Sequence, residues 1–379
     1  MTTTGTPAWL ATQNDRAAFR LLLAHGPLSR SQLGALSGMS KPTAGQMIAR
    51  LERAGLISPT GEVTGSRGPN ATSYGVRTDS LTGVAISMLE GGIEAVLVDP
   101  TDAVHPLAEL TTTGPDRTPV GDITAAVVAA CAAAGVSRDS VSLVVIGVQA
   151  AVDSAGDRLS FTDTLPGWPE RGARAAIEQA TGLTVIIEND VNLATLAEAA
   201  ATGLADFAYL WLGEGLGAGL DAGGHLHRGA SGSAGEIGYL EVPRSALAID
   251  PNALDFTDLV GGPGMMALLG CPSYAEALAA LPGNDLALDS VADRIALLVE
   301  TLAAVVDPAQ VVLGGPTAFV GGERLADLVH ARVATHRDLP VLAGRAGAHP
   351  VLLGARRLLV ESIRERLEDA IVASAGKED

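Results

Sequence analysis

Two successive series of short β-rich runs, each leading into Ala-rich helical stretches, fill the chain from about residue 80 onward. In the first series LTGVAISML and GIEAVLVD read as a hairpin around Glu90-Gly91-Gly92. A helix over residues 119–134 leads to the buried strand SLVVIGV (142–148), and TVIIEND (184–190) feeds the helix VNLATLAEAA. In the second series ADFAYLWLG (205–213) and LGAGLDAGGHL (216–226) form another hairpin set. A long helix near 287–306 then leads to the strand QVVLGG (310–315), with a further helix over 323–336. Continuous apolar runs between helices need cover on both faces of a sheet. The expectation is an α/β body, residues 79–379, made of two related lobes with a cleft between them.

Residues 1–78 follow a helical period instead. DRAAFRLLLAH (15–25) places Phe19, Leu22 and Leu23 at helical spacing and stops at Gly26-Pro27. Ser29 suits the N-cap of SRSQLGALSG, with Leu33 and Leu36 inward and Gly38 as the break. Ser40 caps a third helix with Pro42 in its first turn, where a missing N–H costs nothing. Helix, short glycine turn, helix is the arrangement that sets a helix in a DNA major groove. At about 100° per residue, Thr43, Gln46, Arg50 and Arg53 share one arc, and Ala44, Met47, Ile48 and Leu51 the adjoining apolar arc. Glutamine and arginine bond base edges, and Ser40, Lys41 and Thr43 sit where helix N–H groups attract phosphate. AGLISPTGEVTGSRGPNATSYGV then reads as two strands around a Gly/Pro tip carrying Arg67. This head is expected to be a winged helix-turn-helix gripping double-stranded operator DNA through Ser40, Lys41, Thr43, Gln46, Arg50 and Arg67. A helical dimerisation head with a solvated basic face is the alternative.

The net charge of −18 alone argues against nucleic acid, but its distribution does not. Residues 1–77 carry eight Arg/Lys against three Asp/Glu, a balance of +5, while the remainder carries −23. A cationic segment ahead of an anionic body fits a DNA-facing head on a body that repels phosphate. Cys131 and Cys271 lie far apart with no CxxC spacing, which suits a reducing cytosol and argues against a disulfide framework. No apolar run approaches the ~18–20 residues of a membrane span, and MTTTGTPAWLATQNDR has no signal-peptide pattern, so a cytoplasmic location without membrane partners is expected.

The ordered set Leu165-Pro166-Gly167-Trp168, Glu188-Asn189-Asp190, Leu212-Gly213-x-Gly215-x-Gly217-x-Gly219, Gly235-Glu236-Ile237-Gly238 and Val312-Leu313-Gly314-Gly315 resembles the ROK family of repressors, open reading frames and sugar kinases. The motifs fall in family order, and the head resembles that of the repressor branch. The resemblance implies a two-lobed actin/hexokinase-like body, a duplicated ribonuclease H-like fold, in a homodimer or homotetramer. In the family's kinases an Asn-Asp pair binds sugar hydroxyls, and the Asp is the base for the hydroxyl to be phosphorylated. Asn189 and Asp190 match those positions. The chemistry suits a sugar, since an amide donates and accepts while a carboxylate accepts. From the residues alone, Asp190 also fits as the N-cap of the following helix. Glu236 matches a sugar-contacting glutamate, or else is a plain loop carboxylate. Trp168 either packs a lobe edge or lines the sugar mouth.

Departures from the family pattern narrow the chemistry. The kinases open with an Asp-x-Gly-Gly-Thr phosphate loop, whereas Ser87-Met88-Leu89-Glu90-Gly91 has neither the Asp nor the Thr. In the second phosphate loop Gly-Thr-Gly has become Gly213-Glu214-Gly215, which turns a carboxylate toward any triphosphate. The family's Gly-Glu-Ile-Gly-His ends in Tyr239, and EVPRSALAIDPNALDF lacks the cysteine zinc segment that follows there. Gln149-Ala150 stands for a Pro-Gly turn, and Thr164 for the Asn before Leu-Pro-Gly-Trp. The resemblance with these changes implies no catalysis, no cofactor and no structural metal, and a ligand-binding set of Asn189, Asp190, Glu236 and Tyr239. The function expected is a transcriptional repressor of carbohydrate uptake or catabolism genes, controlled by a sugar or sugar derivative. An active sugar kinase with an appended head and a ligandless DNA-binding scaffold remain the alternatives.

Overall fold

Side-chain caps set the boundaries of the first helices. The computed structural model describes residues 5–63, 71–89, 91–112, 117–161 and 165–375. Helix α1 (Pro7–His25) opens at Thr6, whose hydroxyl accepts the Trp9 N–H, so it starts before the residue 15 suggested by the apolar period. After the two-residue strand β1 (Leu28–Ser29), α2 (Arg30–Ser37) begins with a capping box in which Ser29 and Gln32 satisfy each other's N–H groups. Gly38, left-handed at φ 69°, makes the turn, and Ser40 caps α3 (Lys41–Arg53). Helix α3 buries Ala44, Met47, Ile48 and Leu51, the apolar arc expected of it. Strands β2 (Ile57–Val63) and β3 (Ala71–Val76) form the wing hairpin, with β1 antiparallel to β3 on its other side. Arg67 at the wing tip lies outside the described residues, as do Glu90 and Thr164.

The first lobe comprises β4 (Thr82–Leu89), β5 (Gly92–Val98), β6 (Ala108–Thr111), α4 (Pro119–Ala134), β7 (Val141–Val148), a ribbon of β8 (Ala151–Asp153) and β9 (Arg158–Ser160), α5 (Ala173–Thr181), β10 (Thr184–Asn189) and α6 (Asp190–Thr202). The second comprises β11 (Phe207–Leu212), β12 (Leu216–Ala222), β13 (His225–Leu226), α7 (Phe256–Val260), α8 (Gly262–Leu269), α9 (Tyr274–Ala280), α10 (Asp285–Val306), β14 (Gln310–Gly314), α11 (Gly315–Val333) and β15 (Val341–Ala343). Their sheets run β10-β7-β4-β5-β6 and β15-β14-β11-β12-β13. In each, three strands form an antiparallel meander and two parallel strands join beside the first. The same order with the same senses, twice, is the duplicated ribonuclease H-like plan of the actin/hexokinase body.

Helix α11 begins at Gly315 and bends at Gly322 (φ 57°, ψ −156°), which is why its apolar period restarts near residue 323. The last helix, α12 (Pro350–Ala375), returns from the second lobe to lie on α6, β4 and β7 of the first and on α1 of the head. Its Leu359, Ile363, Leu367 and Ile371 share one apolar cluster with Phe19, Leu22 and Met47 of the head and with Leu143 and Leu193 of the body. Head and body therefore have a common core. No described helix is long and apolar enough to cross a membrane.

Candidate functional site

A cleft of about 680 Å³ is lined by residues of both lobes, and Asn189, Asp190, Glu236 and Tyr239 all face it. The parallel strands of the first lobe end here, the place where open α/β sheets present loops to ligands. Strand β10 delivers Asn189, which turns out to be the N-cap of α6: its Oδ1 accepts the Asn192 N–H at 2.9 Å. Its Nδ2 donates to the Ala150 carbonyl at 3.1 Å. The capping role that Asp190 could have filled is therefore taken, and Asp190 is the first helical residue. Asp190 is buried, and its Oδ1 accepts the Val191 N–H at 2.8 Å. Burial pushes its carboxyl up to about 7, the Val191 N–H works the other way, and the nearby Glu236 charge adds to the rise. Glu236 is itself raised by burial.

The loop that carries Glu236 is pressed against β12. Gly235, at φ 91°, has no room for a side chain, since a Cβ there would lie 1.8 Å from the Ala218 carbonyl oxygen. Tyr239 ends the short 3-10 turn Ile237–Tyr239 and stacks on Phe161, with ring centroids 4.6 Å apart and planes at 23°. Glu188, one residue before Asn189, is a buried anchor. It accepts the Asn192 Nδ2 at 3.0 Å and the Arg228 Nε at 2.6 Å, fixing the start of α6 to the loop after β13. Trp168 is not in this cleft. It is buried in the first lobe, where its Nε1 donates to Asp122 at 2.9 Å beside the Arg117–Asp122 ion pair.

The same cleft is also lined by Glu214, Asp255 and Asp258 with Thr257 and Tyr274. Asp255 caps α7 by accepting the Asp258 N–H at 2.9 Å. Ser87 is buried in β4, and Leu89 reaches the cleft wall. Among the described residues there is no group of three or more His, Cys, Asp or Glu placed to hold a metal ion.

On the head, Lys41, Gln46 and Arg53 are exposed along α3, and the Ser40 and Thr43 hydroxyls bond each other at 2.9 Å at its N-terminus. Arg50 is placed differently. Its Nε and Nη2 donate to both oxygens of the buried Asp15 at 2.7 and 2.8 Å, bracing α3 on α1. Arg30, at the start of α2, is exposed and its Cδ lies 4.0 Å from where a Gly45 Cβ would sit, so it adds a cation beside α3. The head is tied to the body by Glu368 of α12, which accepts from Arg16 at 2.7 Å and from Arg20 at 2.6 Å. At its other end α12 meets α6 backbone to side: a Cβ on Gly354 would lie 1.9 Å from the Leu193 carbonyl oxygen.

With this geometry in view, the comparisons with known proteins are specific. The ROK family matches residues 89–265, and a winged helix-turn-helix DNA-binding family matches residues 12–58. The chain carries a ROK family domain behind a winged helix-turn-helix. A ROK family transcriptional regulator, homolog of the E. coli MLC protein, has the same fold: TM-score 0.66 at 18% identity, covering 97% of this chain and 99% of that one. The glucokinase of Halalkalibacterium halodurans is 28% identical over 222 residues, 47% of this chain and 67% of that protein. The xylose repressor of Bacillus subtilis is 23% identical over 238 residues, and the match spans 60% of either protein. The ROK domain thus has relatives of both kinds, kinase and repressor.

Sequence reasoning missed Phe161, Arg30 and the Asp15–Arg50 pair, and quoted Glu188 within its motif without giving it a role. Phe161 carries no spacing signal of its own. Asp15 lies 35 residues from Arg50, and only the packing of α1 on α3 joins them.

Proposed function

We propose that this chain is a cytoplasmic transcriptional repressor whose hold on operator DNA is set by a sugar or sugar derivative in the ROK cleft. The supporting observation is a continuous mechanical connection. Asp190 opens α6, the α6 backbone at Leu193 bears on α12 at Gly354, and α12 carries Glu368 to Arg16 and Arg20 of the head. A ligand that moves the start of α6 therefore acts on the element that holds the DNA-binding unit.

In this reading the chain divides into a DNA-binding head, residues 1–78, and an effector-binding and oligomerising body, residues 79–379. Ser40, Lys41, Thr43, Gln46 and Arg67 face DNA, joined by Arg30 and Arg53, while Arg50 positions α3 from behind. A homodimer, alone or doubled into a tetramer, sets two such helices in successive major grooves. Asn189, Asp190, Glu236 and Tyr239 bind the sugar hydroxyls. Near-complete reversal of DNA binding requires the sugar to prefer one state by about 5 kcal/mol. Phosphoryl transfer is absent in this reading, because Glu214, Asp255 and Asp258 also line the cleft, where added carboxylates disfavour a triphosphate.

A gel-shift titration on the DNA upstream of the protein's own coding sequence tests the proposal. Binding should be saturable, sequence-selective and salt-sensitive, and an effector sugar should change it. Binding that is indifferent to sequence, or absent at low salt, sinks it. One observation favours a sugar kinase instead: Asp190, held near 7, has the pKa of a general base. ATP consumption with hexoses and Mg2+ that disappears in Asp190→Asn would establish that reading.

A further inference from the structure

Two aromatic rings stand half-exposed at the cleft where the sugar-facing groups converge. Phe161 is 45% exposed and Tyr239 55%, yet they stack on each other and both line the cleft. Phe161 is also held at φ 59°, in the left-handed region that a bulky side chain seldom adopts. Strain of this kind clusters at binding and active sites. Neither ring fills a core, and Phe161 has no polar atom to offer a hydroxyl.

A pyranose has two kinds of surface: a rim of hydroxyls, and faces of C–H bonds that lie well on a π face. Asn189, Asp190 and Glu236 supply partners for the rim of one ring. The cleft, at about 680 Å³, falls within the range of sites for drug-sized ligands, and one hexose leaves much of it to water. The aromatic pair lines the same space and offers only ring surface and the Tyr239 hydroxyl.

We propose that Phe161 and Tyr239 form a stacking platform for a second ring, so that the effector is a disaccharide or other glycoside rather than a free monosaccharide. This rests on reading the cleft as a sugar site. In the complex the non-reducing sugar is held by Asn189, Asp190 and Glu236, and the ring attached to it lies against the aromatic pair.

Calorimetric titration of the full chain tests this, using glucose, galactose and xylose beside cellobiose, maltose, lactose, xylobiose and 4-nitrophenyl β-glucoside. At least one two-ring compound should bind about tenfold more tightly than its parent monosaccharide, the size of one good aromatic contact. Phe161→Ala should erase most of that advantage and leave monosaccharide affinity unchanged. Phe161→Leu, which keeps bulk but removes the π face, should behave likewise with an unaltered melting temperature, and Tyr239→Phe, which keeps the ring, should keep the two-ring advantage. Asp190→Asn should abolish binding of both classes. If single-ring sugars bind through Asp190 and a second ring adds nothing, or if the Phe161 variants weaken both classes equally, the platform is wrong and the sugar site stands. If no compound binds, both fall together.

Discussion

Asp190→Asn should make the protein more stable, and only above acid pH. Burial raises the Asp190 carboxyl from the ordinary 3.8 to about 7. Between those two values the folded chain binds more protons than the unfolded one, so stability falls as pH rises through this window and levels off above it. At about 1.4 kcal/mol per pH unit, the full penalty is on the order of 4 kcal/mol. The carboxyl borders a cleft that water enters, which reduces the expected effect to about 2–4 kcal/mol. Asparagine keeps an oxygen for the Val191 N–H and cannot ionise. Urea unfolding of both proteins from pH 4 to pH 8 checks this. The curves should nearly coincide at pH 4, separate between pH 4 and 7, and stay apart above. A variant that is no more stable at pH 8, or is offset equally at every pH, refutes burial of a charge as the cause.

Other perturbations separate the roles assigned above. Gln46→Ala should weaken operator binding by about 1–3 kcal/mol in gel shifts without changing the melting temperature. Arg50→Ala, which deprives buried Asp15 of two charge-assisted hydrogen bonds, should instead lower head stability by about 1–3 kcal/mol, read as a lower melting temperature. Glu368→Gln should speed proteolytic cleavage of the head at pH 7. Burial works to raise the Glu368 carboxyl, but hydrogen bonds from Arg20 and Arg16 outweigh it and hold it below the ordinary 4.5. Its contribution is therefore complete above pH 4.5 and is lost as pH falls through the lower folded value, so the difference between the two proteins should close in acid. Gly354→Ala should cost about 1–3 kcal/mol of stability through overpacking on Leu193, and leave DNA binding that responds less to sugar.

The elements that announce themselves in the sequence are those with local signals. Ser29 and Ser40 are caps that need only their own next turn, and Gly38 is a turn that needs only its own φ. The strands of the two sheets were legible because continuous apolar runs must be covered. The gathering of Asn189, Asp190, Glu236 and Tyr239 into one cleft was legible only through the ROK resemblance, since no periodicity links residue 190 to residue 236. Helix α12 went unread although Leu352, Ala355, Leu359, Ile363, Leu367 and Ile371 form an apolar stripe at helical spacing. Its charged neighbours, Arg356-Arg357 and Arg364-Glu365-Arg366, blur the stripe to the eye. The Arg50–Asp15 pairing was hidden for a physical reason. An angle on a helical wheel gives the direction of a Cβ, and a long guanidinium follows the carboxylate it finds, here Asp15.

A straight rod fixed at one point turns small rotations into larger displacements. Gly354 and Glu368 are separated by about 21 Å of α-helix, counted at 1.5 Å per residue. Pivoting by about 10° at Gly354 would sweep Glu368, and Arg16 and Arg20 with it, through roughly 4 Å. Two half-sites one DNA turn apart are spaced by about 34 Å, so paired heads swung in opposite senses by that distance no longer match the groove spacing. On the reading proposed above, a deflection too slight to disturb the sheets is enough to change whether paired heads fit an operator.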